Sequence, residues 1–323
     1  MSDLLKNIDA RTKLAGTNKL EILLFSLGTD SRTQRSETFG INVFKVREVM
    51  RTPPITAAPE MPPSVEGMVS LRGALVPVVD LARYAGVDTR TPRSIMIVTE
   101  YAGHTQGFLV EAVDTILRLD WSQMRVPPAM LLAELGGLVT AVTELPDGRL
   151  VMMMDVEKVL SETTNYDDEI VYRNIKPIGN AGLTVYFADD SAVARKQIQR
   201  TLEAMGVQYV AAINGREAWD ELDKMAKFAQ ASGQEVKDLI SLVLTDIEMP
   251  EMDGYILTKK IKSDLRFVGV PVIMHSSLSG MSNQQLGKSV GVDEYVPKFE
   301  PQRLSETLAR RLQQGACPAL AQP

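Results

Sequence analysis

Charged and hydroxyl side chains stand at the ends of apolar stretches in the second half of the chain. Two adjacent aspartates end the run LTVYFA, and a third follows LISLVLT. A serine follows PVIMH, and a lysine follows EYV with one proline between them. Adjacent carboxylates repel each other, so they are either solvated turn residues or neighbours of a positive group. The five residues are Asp189, Asp190, Asp246, Ser276 and Lys298.

These residue types are suited to phosphoryl chemistry. Three carboxylates held close together raise one another's pKa values unless a cation lies among them. Mg²⁺ fits this role, because it prefers oxygen ligands and is usually held by few carboxylates together with a phosphate. A carboxylate beside Mg²⁺ can attack phosphorus and become an aspartyl phosphate, while the metal and a lysine neutralise the transferring oxygens. A hydroxyl can then hydrogen-bond the new phosphoryl group.

The elements that must position these residues alternate between strand and helix from Leu183 onward. Almost wholly apolar runs, typical of strands buried on both faces, are separated by segments whose apolar residues recur at helical spacing. Regular alternation of this kind predicts a parallel sheet covered by helices. Ligands bind such sheets at the carboxyl ends of the strands. Because all five residues stand at those ends, we predict that they form one site.

The first half of the chain has a different pattern. From Leu20 to about Leu160, short strand-like runs alternate with turn signals such as Arg72-Gly73 and Pro146-Asp147-Gly148. Asp-Gly between apolar strands favours a hairpin, and short strands at this spacing are typical of barrels and sandwiches. This half is therefore predicted to be all-β. Short helical segments are also predicted at Phe44–Met50, Ala129–Leu135 and Val156–Leu160.

Composition restricts the class of protein. The 323 residues suggest two domains, and a net charge of −6 argues against a nucleic-acid binder. The single cysteine, Cys317, excludes an intramolecular disulfide, and one cysteine with two histidines argues against a structural zinc site. No signal-peptide core is present, and no apolar run approaches the ~20 residues of a membrane helix. We expect a cytoplasmic protein without direct membrane insertion.

The site constellation resembles the receiver domains of two-component systems, which accept a phosphoryl group on an aspartate. The resemblance rests on five elements that occur in order at the expected strand ends, and the third aspartate stands within LTDIEMPEMDG. The resemblance implies a phosphoacceptor at Asp246, Mg²⁺ ligands at Asp189, Asp190, Asp246 and the backbone carbonyl of Glu248, switch residues at Ser276 and Tyr295, and the family's lysine at Lys298.

The receiver resemblance also implies an α/β doubly wound, flavodoxin-like sheet with strand order 2-1-3-4-5. This sequence departs from the family at one position. Family members usually carry a proline after the lysine, with a cis peptide bond. Here Pro297 precedes Lys298 and Phe299 follows it.

The first half resembles CheW, the coupling protein of bacterial chemotaxis. The segments FGINVFKVREVM and SLRG followed by VPVVDL carry this resemblance. A CheW-like domain placed before a receiver resembles the CheV family, as does VPKFEP after the last strand. The resemblance implies a pair of five-stranded barrels in residues 12–162. A polar linker of residues 163–182 and a receiver of residues 183–314 complete the predicted organisation.

The CheV resemblance implies binding to chemoreceptor cytoplasmic tips, to the histidine kinase CheA and possibly to CheW. The matching contact positions are Val46, Glu48, Gly67 and Arg72. Arg72 is expected in an exposed turn, where its guanidinium can pair with a partner's carboxylate or be merely solvated. Gly67 is better explained by backbone geometry. Val46 is equally compatible with a core position, and Glu48 with a surface charge.

The preferred hypothesis is a chemotaxis adaptor at receptor arrays, whose coupling or adaptation is modulated by phosphorylation of Asp246, or which acts as a phosphate sink. We expect a phosphoacceptor with at most slow self-dephosphorylation rather than an enzyme. One alternative is an aspartyl-phosphate phosphohydrolase, for which Asp246-Ile247-Glu248 is a weak match. Others are a transcriptional regulator, disfavoured by the acidic balance, and a scaffold with an inactive receiver.

Overall fold

The computed structural model describes residues 19–57, 59–101, 104–128, 130, 136–163, 172–179, 182–277 and 287–316. These residues belong to two compact units, which divide between residues 166 and 167. The first unit is mainly β, and the second alternates strands and helices. Among the described residues, no helix combines the length and the apolar character that crossing a membrane requires.

The first unit contains ten strands and two short helices within its described residues. The strands are β1 Lys19–Ser26, β2 Thr38–Asn42, β3 Val46–Arg51, β4 Val65–Leu71, β5 Ala74–Asp80, β6 Ile95–Tyr101, β7 His104–Val110, β8 Ala112–Asp120, β9 Val139–Glu144 and β10 Leu150–Met154. The helices are α1 Leu81–Tyr84 and α2 Val156–Thr163.

The ten strands form two five-stranded sheets, in agreement with the predicted pair of barrels. The orders are β8-β1-β2-β10-β9 and β3-β6-β7-β5-β4. In each sheet, the segment that follows one edge strand forms a β-bridge to the opposite edge strand, and this bridge closes the barrel. Arg125 pairs with Val142 in the first sheet, and Thr56 pairs with Met68 in the second. Closure leaves fewer unpaired backbone groups at the sheet edges.

The helix predicted at Phe44–Met50 is wrong. A 3-10 turn covers only Val43–Lys45, where the Asn42 side chain accepts a hydrogen bond from the Phe44 N–H at 3.0 Å. The chain then continues as β3, which pairs antiparallel with β6. β-branched residues favour a strand here, and the pairing outweighs a local apolar spacing that is compatible with both states.

The other two predicted short helices had different outcomes. The helix predicted at Val156–Leu160 is confirmed as α2. Its N-terminus is capped by Asp155, whose carboxylate accepts from the backbone N–H groups of Glu157 and Lys158 at 3.0 Å. The helix predicted at Ala129–Leu135 lies outside the described residues apart from Met130.

The predicted turn at Arg72-Gly73 is confirmed as a two-residue hairpin between β4 and β5. Its residues have φ angles of 52° and 85°, and Leu71 pairs with Ala74 across the hairpin. Two positive φ values in succession are the signature of the type I′ turn, whose twist matches that of antiparallel strands. The turn therefore holds Arg72 at the tip of the hairpin.

The second unit contains five strands, β11 Thr184–Ala188, β12 Gln208–Ala212, β13 Leu242–Thr245, β14 Val272–Ser276 and β15 Glu294–Pro297. Its helices include α3 Ala192–Met205, α4 Gly215–Ala231, α5 Val236–Leu239, α6 Gly254–Ser263 and α7 Pro301–Ala316. All neighbouring strands are parallel, in the order β12-β11-β13-β14-β15. This is the predicted order 2-1-3-4-5.

Alternating side chains of the central strands fill two apolar cores, one on each face of this sheet. On one face, Tyr186 and Val243 pack with residues of α4 and α6. On the other, Phe187 and Leu244 pack with residues of α3 and α7. Full burial of each large apolar side chain contributes about 1.5–3 kcal/mol. Burial on both faces explains why these strands lack alternating polarity.

The described part of the predicted linker packs on the second unit. Tyr172 and Ile175 are buried in the core shared with α3 and α7. The guanidinium of Arg200 lies 4.3 Å from the centre of the Tyr172 ring, and the Ile178 N–H donates to the Met205 carbonyl at 2.8 Å. The polar composition of residues 163–182 obscured these apolar contacts. Residues 164–171 lie outside the described part of the chain.

Candidate functional site

Three ionisable side chains meet at the carboxyl edge of the parallel sheet. The Lys298 Nζ lies 2.9 Å from an oxygen of Asp189 and 2.9 Å from an oxygen of Asp246. The three residues are only 1%, 0% and 5% exposed. A buried charge is tolerated when it is paired and hydrogen-bonded. The lysine therefore compensates two carboxylates that would otherwise repel each other.

The strand ends bring these groups together. Ala188 and Thr245 are the last paired residues of β11 and β13, so the aspartates that follow them emerge side by side. The Asp246 N–H donates to the Ala188 carbonyl at 2.9 Å, which extends the ladder by one residue. The Lys298 N–H donates to the Ser276 carbonyl at 3.2 Å, one residue beyond β15.

The first turn of α3 fixes the orientation of Asp189. One carboxylate oxygen of Asp189 accepts from the Ser191 N–H at 2.9 Å, and its backbone carbonyl accepts from Arg195 Nη1 at 2.8 Å. Ser191 also caps the helix by accepting from the Ala194 N–H at 3.3 Å. Sequence reasoning assigned no role to Ser191 or Arg195. A serine directly before apolar residues at helical spacing is the sequence pattern that would have predicted this N-cap.

Asp246, the predicted phosphoacceptor, is also held by the backbone. Asp246 accepts from the Ile247 N–H at 2.6 Å through the oxygen that does not face Lys298. The ideal Cβ of an alanine at Gly254 would lie 1.9 Å from the Asp246 carbonyl oxygen. The Gly254 N–H donates to the Ile247 carbonyl at 2.9 Å. Gly254 therefore allows the start of α6 to approach the loop that carries Asp246. Sequence reasoning quoted this glycine within LTDIEMPEMDG without assigning it a role.

The acidic residues are close enough together to hold a single cation. One ligand oxygen from each of Asp189, Asp190 and Asp246 can be chosen so that all lie within 4.8 Å of one another. Asp189 and Asp246 are buried and Asp190 is half-buried, so the cluster opens towards solvent at one residue. A small oxygen-preferring cation that keeps several waters fits this donor set. The residues present are thus compatible with Mg²⁺.

The remaining predicted receiver residues surround this edge. Ser276 ends β14 opposite Pro297 and is 4% exposed, and Glu248, two residues beyond Asp246, is 9% exposed. Tyr295 pairs with Met274 and is half-buried. The roles of the Ser276 hydroxyl and the Glu248 carbonyl remain predictions.

The family's Lys-Pro step is replaced here by a different backbone turn. Among the described residues all peptide bonds are trans, and Phe299 has φ = 63°. A left-handed conformation is uncommon for a bulky residue and is tolerated where the surrounding structure holds it. Lys298 nevertheless reaches both carboxylates. The sequence departure therefore leaves the ion pairs of the site in place.

Two of the predicted contact positions in the first unit are paired with each other. Arg72 Nη2 donates to a Glu48 carboxylate oxygen at 2.9 Å, and the Arg72 side chain is 68% exposed. Exposed ion pairs contribute about 0–1 kcal/mol, so a partner can replace this one at little cost. Val46 is 9% exposed, which favours its core interpretation. A partner contact at Val46, Glu48 or Arg72 remains a prediction.

Gly67, the fourth contact position, serves backbone geometry. It lies in β4 at a register shift with φ = 143°, and an added Cβ would come 2.2 Å from the Thr56 carbonyl oxygen. Thr56 belongs to the bridge that closes the second barrel. The close approach of these two segments therefore requires glycine.

Replacing Gly67 by alanine is expected to lower the free energy of unfolding of the first unit by about 1–3 kcal/mol, because the methyl group overlaps backbone atoms. Urea denaturation followed by circular dichroism measures this effect. Gly148→Ala is the matched control, since Gly148 has φ = 83° in the same unit but no atom within 4 Å of its ideal Cβ. Equal losses of stability in the two variants would contradict the role assigned to the Thr56 contact.

Comparisons with known proteins match each unit separately. A model of the CheW-like domain family matches residues 21–164, and a model of the response regulator receiver domain family matches residues 185–309. One match therefore falls in each compact unit.

Individual relatives show the same division. The chain is 28% identical to chemotaxis protein CheV3 of Helicobacter pylori over 286 residues, which cover 86% of this chain and 89% of that protein. It is 37% identical to chemotaxis protein CheY1 of Helicobacter pylori over 122 residues, covering 37% and 89% of the two chains. It is 30% identical to chemotaxis protein CheW of Klebsiella aerogenes over 154 residues, covering 46% and 87%.

Proposed function

The chain belongs to the CheW-like and response regulator receiver families, joined as in the CheV chemotaxis proteins, and on this premise we propose that phosphorylation of Asp246 controls its work as a chemotaxis adaptor. In this proposal the first unit couples chemoreceptors to the histidine kinase CheA. The second unit accepts a phosphoryl group from CheA and thereby changes the coupling or drains phosphoryl groups. The protein acts at receptor arrays on the membrane without inserting into it.

The single observation that carries the phosphoryl part is the buried Asp189–Lys298–Asp246 arrangement. Lys298 is 2.9 Å from both carboxylates, so its charge stands beside the oxygen that would receive the phosphoryl group. Preorganised positive charge of this kind stabilises the transferring oxygens in a phosphoryl-transfer transition state. Asp189, Asp190 and Asp246, with the predicted Glu248 carbonyl, would hold Mg²⁺. Bound there, Mg²⁺ supplies further neutralisation of phosphoryl charge.

The proposed transfer is a simple displacement at phosphorus. A carboxylate oxygen of Asp246 attacks the phosphorus of a phosphohistidine on CheA. The O–P bond forms as the P–N bond breaks, and the electron pair of the P–N bond stays on the imidazole nitrogen of the kinase. Lys298 then pairs with the phosphoryl oxygens, and the Ser276 hydroxyl at the end of β14 donates to one of them.

The coupling part of the proposal rests on the second barrel. The β4–β5 hairpin presents Arg72 at its tip, and Leu75 beside it is 73% exposed. An exposed guanidinium suits a partner surface, because arginine is among the residues that most often dominate binding energy. Glu48 lies within the same patch through its ion pair with Arg72. Receptor tips, CheA and possibly CheW are the proposed partners.

Enzymatic turnover and DNA binding are not part of this proposal. A phosphohydrolase would use Glu248 as a general acid, and the Asp189–Asp190 pair would then have no role. We propose that hydrolysis of the aspartyl phosphate occurs only as slow self-dephosphorylation. The net charge of −6 gives no support for binding to nucleic acid.

Phosphoryl transfer tests this function. The full-length protein is mixed with Mg²⁺ and ³²P-labelled CheA, and labelled product is followed by gel electrophoresis. We expect Mg²⁺-dependent labelling. It should fall at least about 100-fold in Asp246→Asn, because an amide replaces the nucleophilic carboxylate. Asp220→Asn, an exposed aspartate of the same unit, is the matched control and retains labelling.

The opposite outcome is equally informative. Absence of label on the wild-type protein, with binding to receptor and kinase intact, would overturn the phosphoryl part and favour a scaffold with an inactive receiver. Labelling that persists in Asp246→Asn would assign the acceptor to another residue.

A further inference from the structure

The strap, residues 172–178, is a short segment that packs along α3 of the second unit. Tyr172 and Ile175 are 9% and 8% exposed, and Ile178 packs against the same core. The four residues between these three are exposed. Every third side chain of the strap therefore faces the second unit. The strap lies between the two family matches, which end at residue 164 and begin at residue 185, so neither family model covers it.

Two contacts join the strap to the second half of α3. The Arg200 guanidinium lies 4.3 Å from the centre of the Tyr172 ring, within the range of a cation–π interaction. The Ile178 N–H donates at 2.8 Å to the carbonyl of Met205, the last residue of the helix. The last carbonyls of a helix have no donor within the helix itself. The strap therefore supplies a partner to this end of α3 and holds it in place.

The opposite end of α3 holds Asp189. The Ser191 N–H donates to the Asp189 carboxylate at 2.9 Å, and Arg195 Nη1 donates to the Asp189 carbonyl at 2.8 Å. The 14 residues of α3 include neither glycine nor proline, the common causes of a kink. Arg195 and Arg200 are only about 7.5 Å apart along this uninterrupted helix, at a rise of about 1.5 Å per residue. A displacement of the strap end is therefore passed to the Asp189 end.

We propose that the strap sets the Mg²⁺ affinity of the acidic site through α3. The docked strap keeps the helix where Ser191 and Arg195 orient Asp189. An undocked strap lets α3 shift and weakens the site. This inference rests on the proposed function, because it concerns the Mg²⁺ that assists phosphoryl transfer. Arg195 and the strap act by positioning Asp189 and touch neither the metal nor the phosphoryl group.

The physical reason is that a metal site depends on the groups that orient its ligands. Loss of such an orienting contact typically lowers metal affinity by about 10–100-fold. Asp189 is 0% exposed, lies 2.9 Å from the Lys298 ammonium and belongs to the cluster of possible metal ligands. Rotation of its carboxylate therefore changes how well it can serve the metal. The strap acts one contact further out, through Arg195, so we expect it to have a smaller effect than direct loss of that contact.

Calorimetric titration of the full-length protein with Mg²⁺ tests the proposal. Tyr172→Ala combined with Ile175→Ala undocks the strap, and the Mg²⁺ Kd should rise at least about fivefold, within the range of typical coupling effects. Val236→Ala is the matched control, because Val236 is 2% exposed in the core that α3 does not share. It should lower stability and keep the wild-type Kd. Circular dichroism at the titration temperature verifies that each variant is folded. An equal rise in Kd in both variants would overturn the proposal.

Hydrogen exchange supplies a test that leaves the strap unmutated. Coupling is reciprocal, so Mg²⁺ must strengthen the docking of the strap if the strap strengthens Mg²⁺ binding. Saturating Mg²⁺ should slow exchange of the Ile178 amide several-fold in the wild-type protein. In Arg195→Met, at the same multiple of its own Kd, this protection should largely vanish. Stabilisation of the whole unit by bound Mg²⁺ would be equal in the two proteins. Protection that persists in Arg195→Met would therefore overturn the proposed route.

³²P transfer to Asp246 on the same preparations separates the strap from the proposed function. If the wild-type protein binds no Mg²⁺, both fail. If it binds Mg²⁺ and takes up label, but the undocked variant keeps the wild-type Kd, the strap proposal alone is overturned. If Mg²⁺ affinity depends on the strap and no label is taken up, the strap proposal is supported and phosphoryl transfer alone fails.

Discussion

Replacing Lys298 by methionine is expected to lower the free energy of unfolding of the second unit by about 3–5 kcal/mol at neutral pH, because the change leaves buried charges without their partner. The lysine is 1% exposed and is paired at 2.9 Å with Asp189 and Asp246, which are 0% and 5% exposed. Phosphoryl uptake should fall with it, since in the proposed transfer the same ammonium neutralises the transferring oxygens.

Urea denaturation with and without Mg²⁺ measures this effect. Because an ion that binds only the folded state stabilises it, and the variant has lost its own cation, Mg²⁺ should restore more stability to Lys298→Met than to wild type. Adding Asp246→Asn to Lys298→Met should recover part of the loss, since one uncompensated charge is removed. Lys227→Met is the control, because the exposed Lys227–Asp223 pair contributes at most about 1 kcal/mol. A loss as small as that of the control would contradict the compensation argument.

Gly254→Ala is expected to lower the free energy of unfolding by about 1–3 kcal/mol, as overpacking of a tight site does. The added methyl would stand 1.9 Å from the Asp246 carbonyl oxygen, so either α6 or the Asp246 loop must move. A displacement of about 1 Å at a reacting group can reduce a rate about 100-fold. We therefore expect the loss of phosphoryl uptake to exceed what the loss of folded protein explains.

Thermal unfolding and ³²P transfer, measured on the same preparation, separate these two effects. Gly179→Ala is the matched control in the same unit, because no atom lies within 4 Å of its ideal Cβ and its φ is not positive. The control should retain wild-type stability and labelling. Full labelling of Gly254→Ala would indicate that the loop tolerates the shift and would contradict the role given to this glycine.

Sequence reasoning was most successful where the determining pattern is local. The central strands β11, β13 and β14 are short, largely apolar and buried runs, and parallel order places the ends of the strands at one edge. Asp189, Asp246 and Lys298 could therefore be assigned to one site from the sequence alone. Arg195 was missed because its role depends on the path of its long side chain back to the Asp189 carbonyl, which residue spacing does not specify.

Close approaches of backbone were also beyond the reach of sequence patterns. Gly254 and Gly287 have no positive φ, which is the backbone conformation that usually makes glycine necessary. A turn motif in the sequence therefore does not identify them. Their requirement comes from a carbonyl oxygen and an aromatic ring that other segments bring near. In the first unit, the helix predicted at Phe44–Met50 failed for a related reason. Antiparallel pairing with β6, a strand distant along the chain, determines the conformation of this segment.

The segment around Tyr172 and Ile175 limits how freely receivers could be exchanged between proteins. The receiver family model begins at residue 185, yet these two side chains lie in the core shared with α3 and α7. A chimaera that grafts another receiver onto residue 183 would separate this segment from Arg200 and Met205, the residues it meets along α3. The packed unit is therefore longer than the part of the chain that the family model matches. A chimaera that preserves stability should be joined before Tyr172, because this stretch is part of the folded unit rather than a spacer.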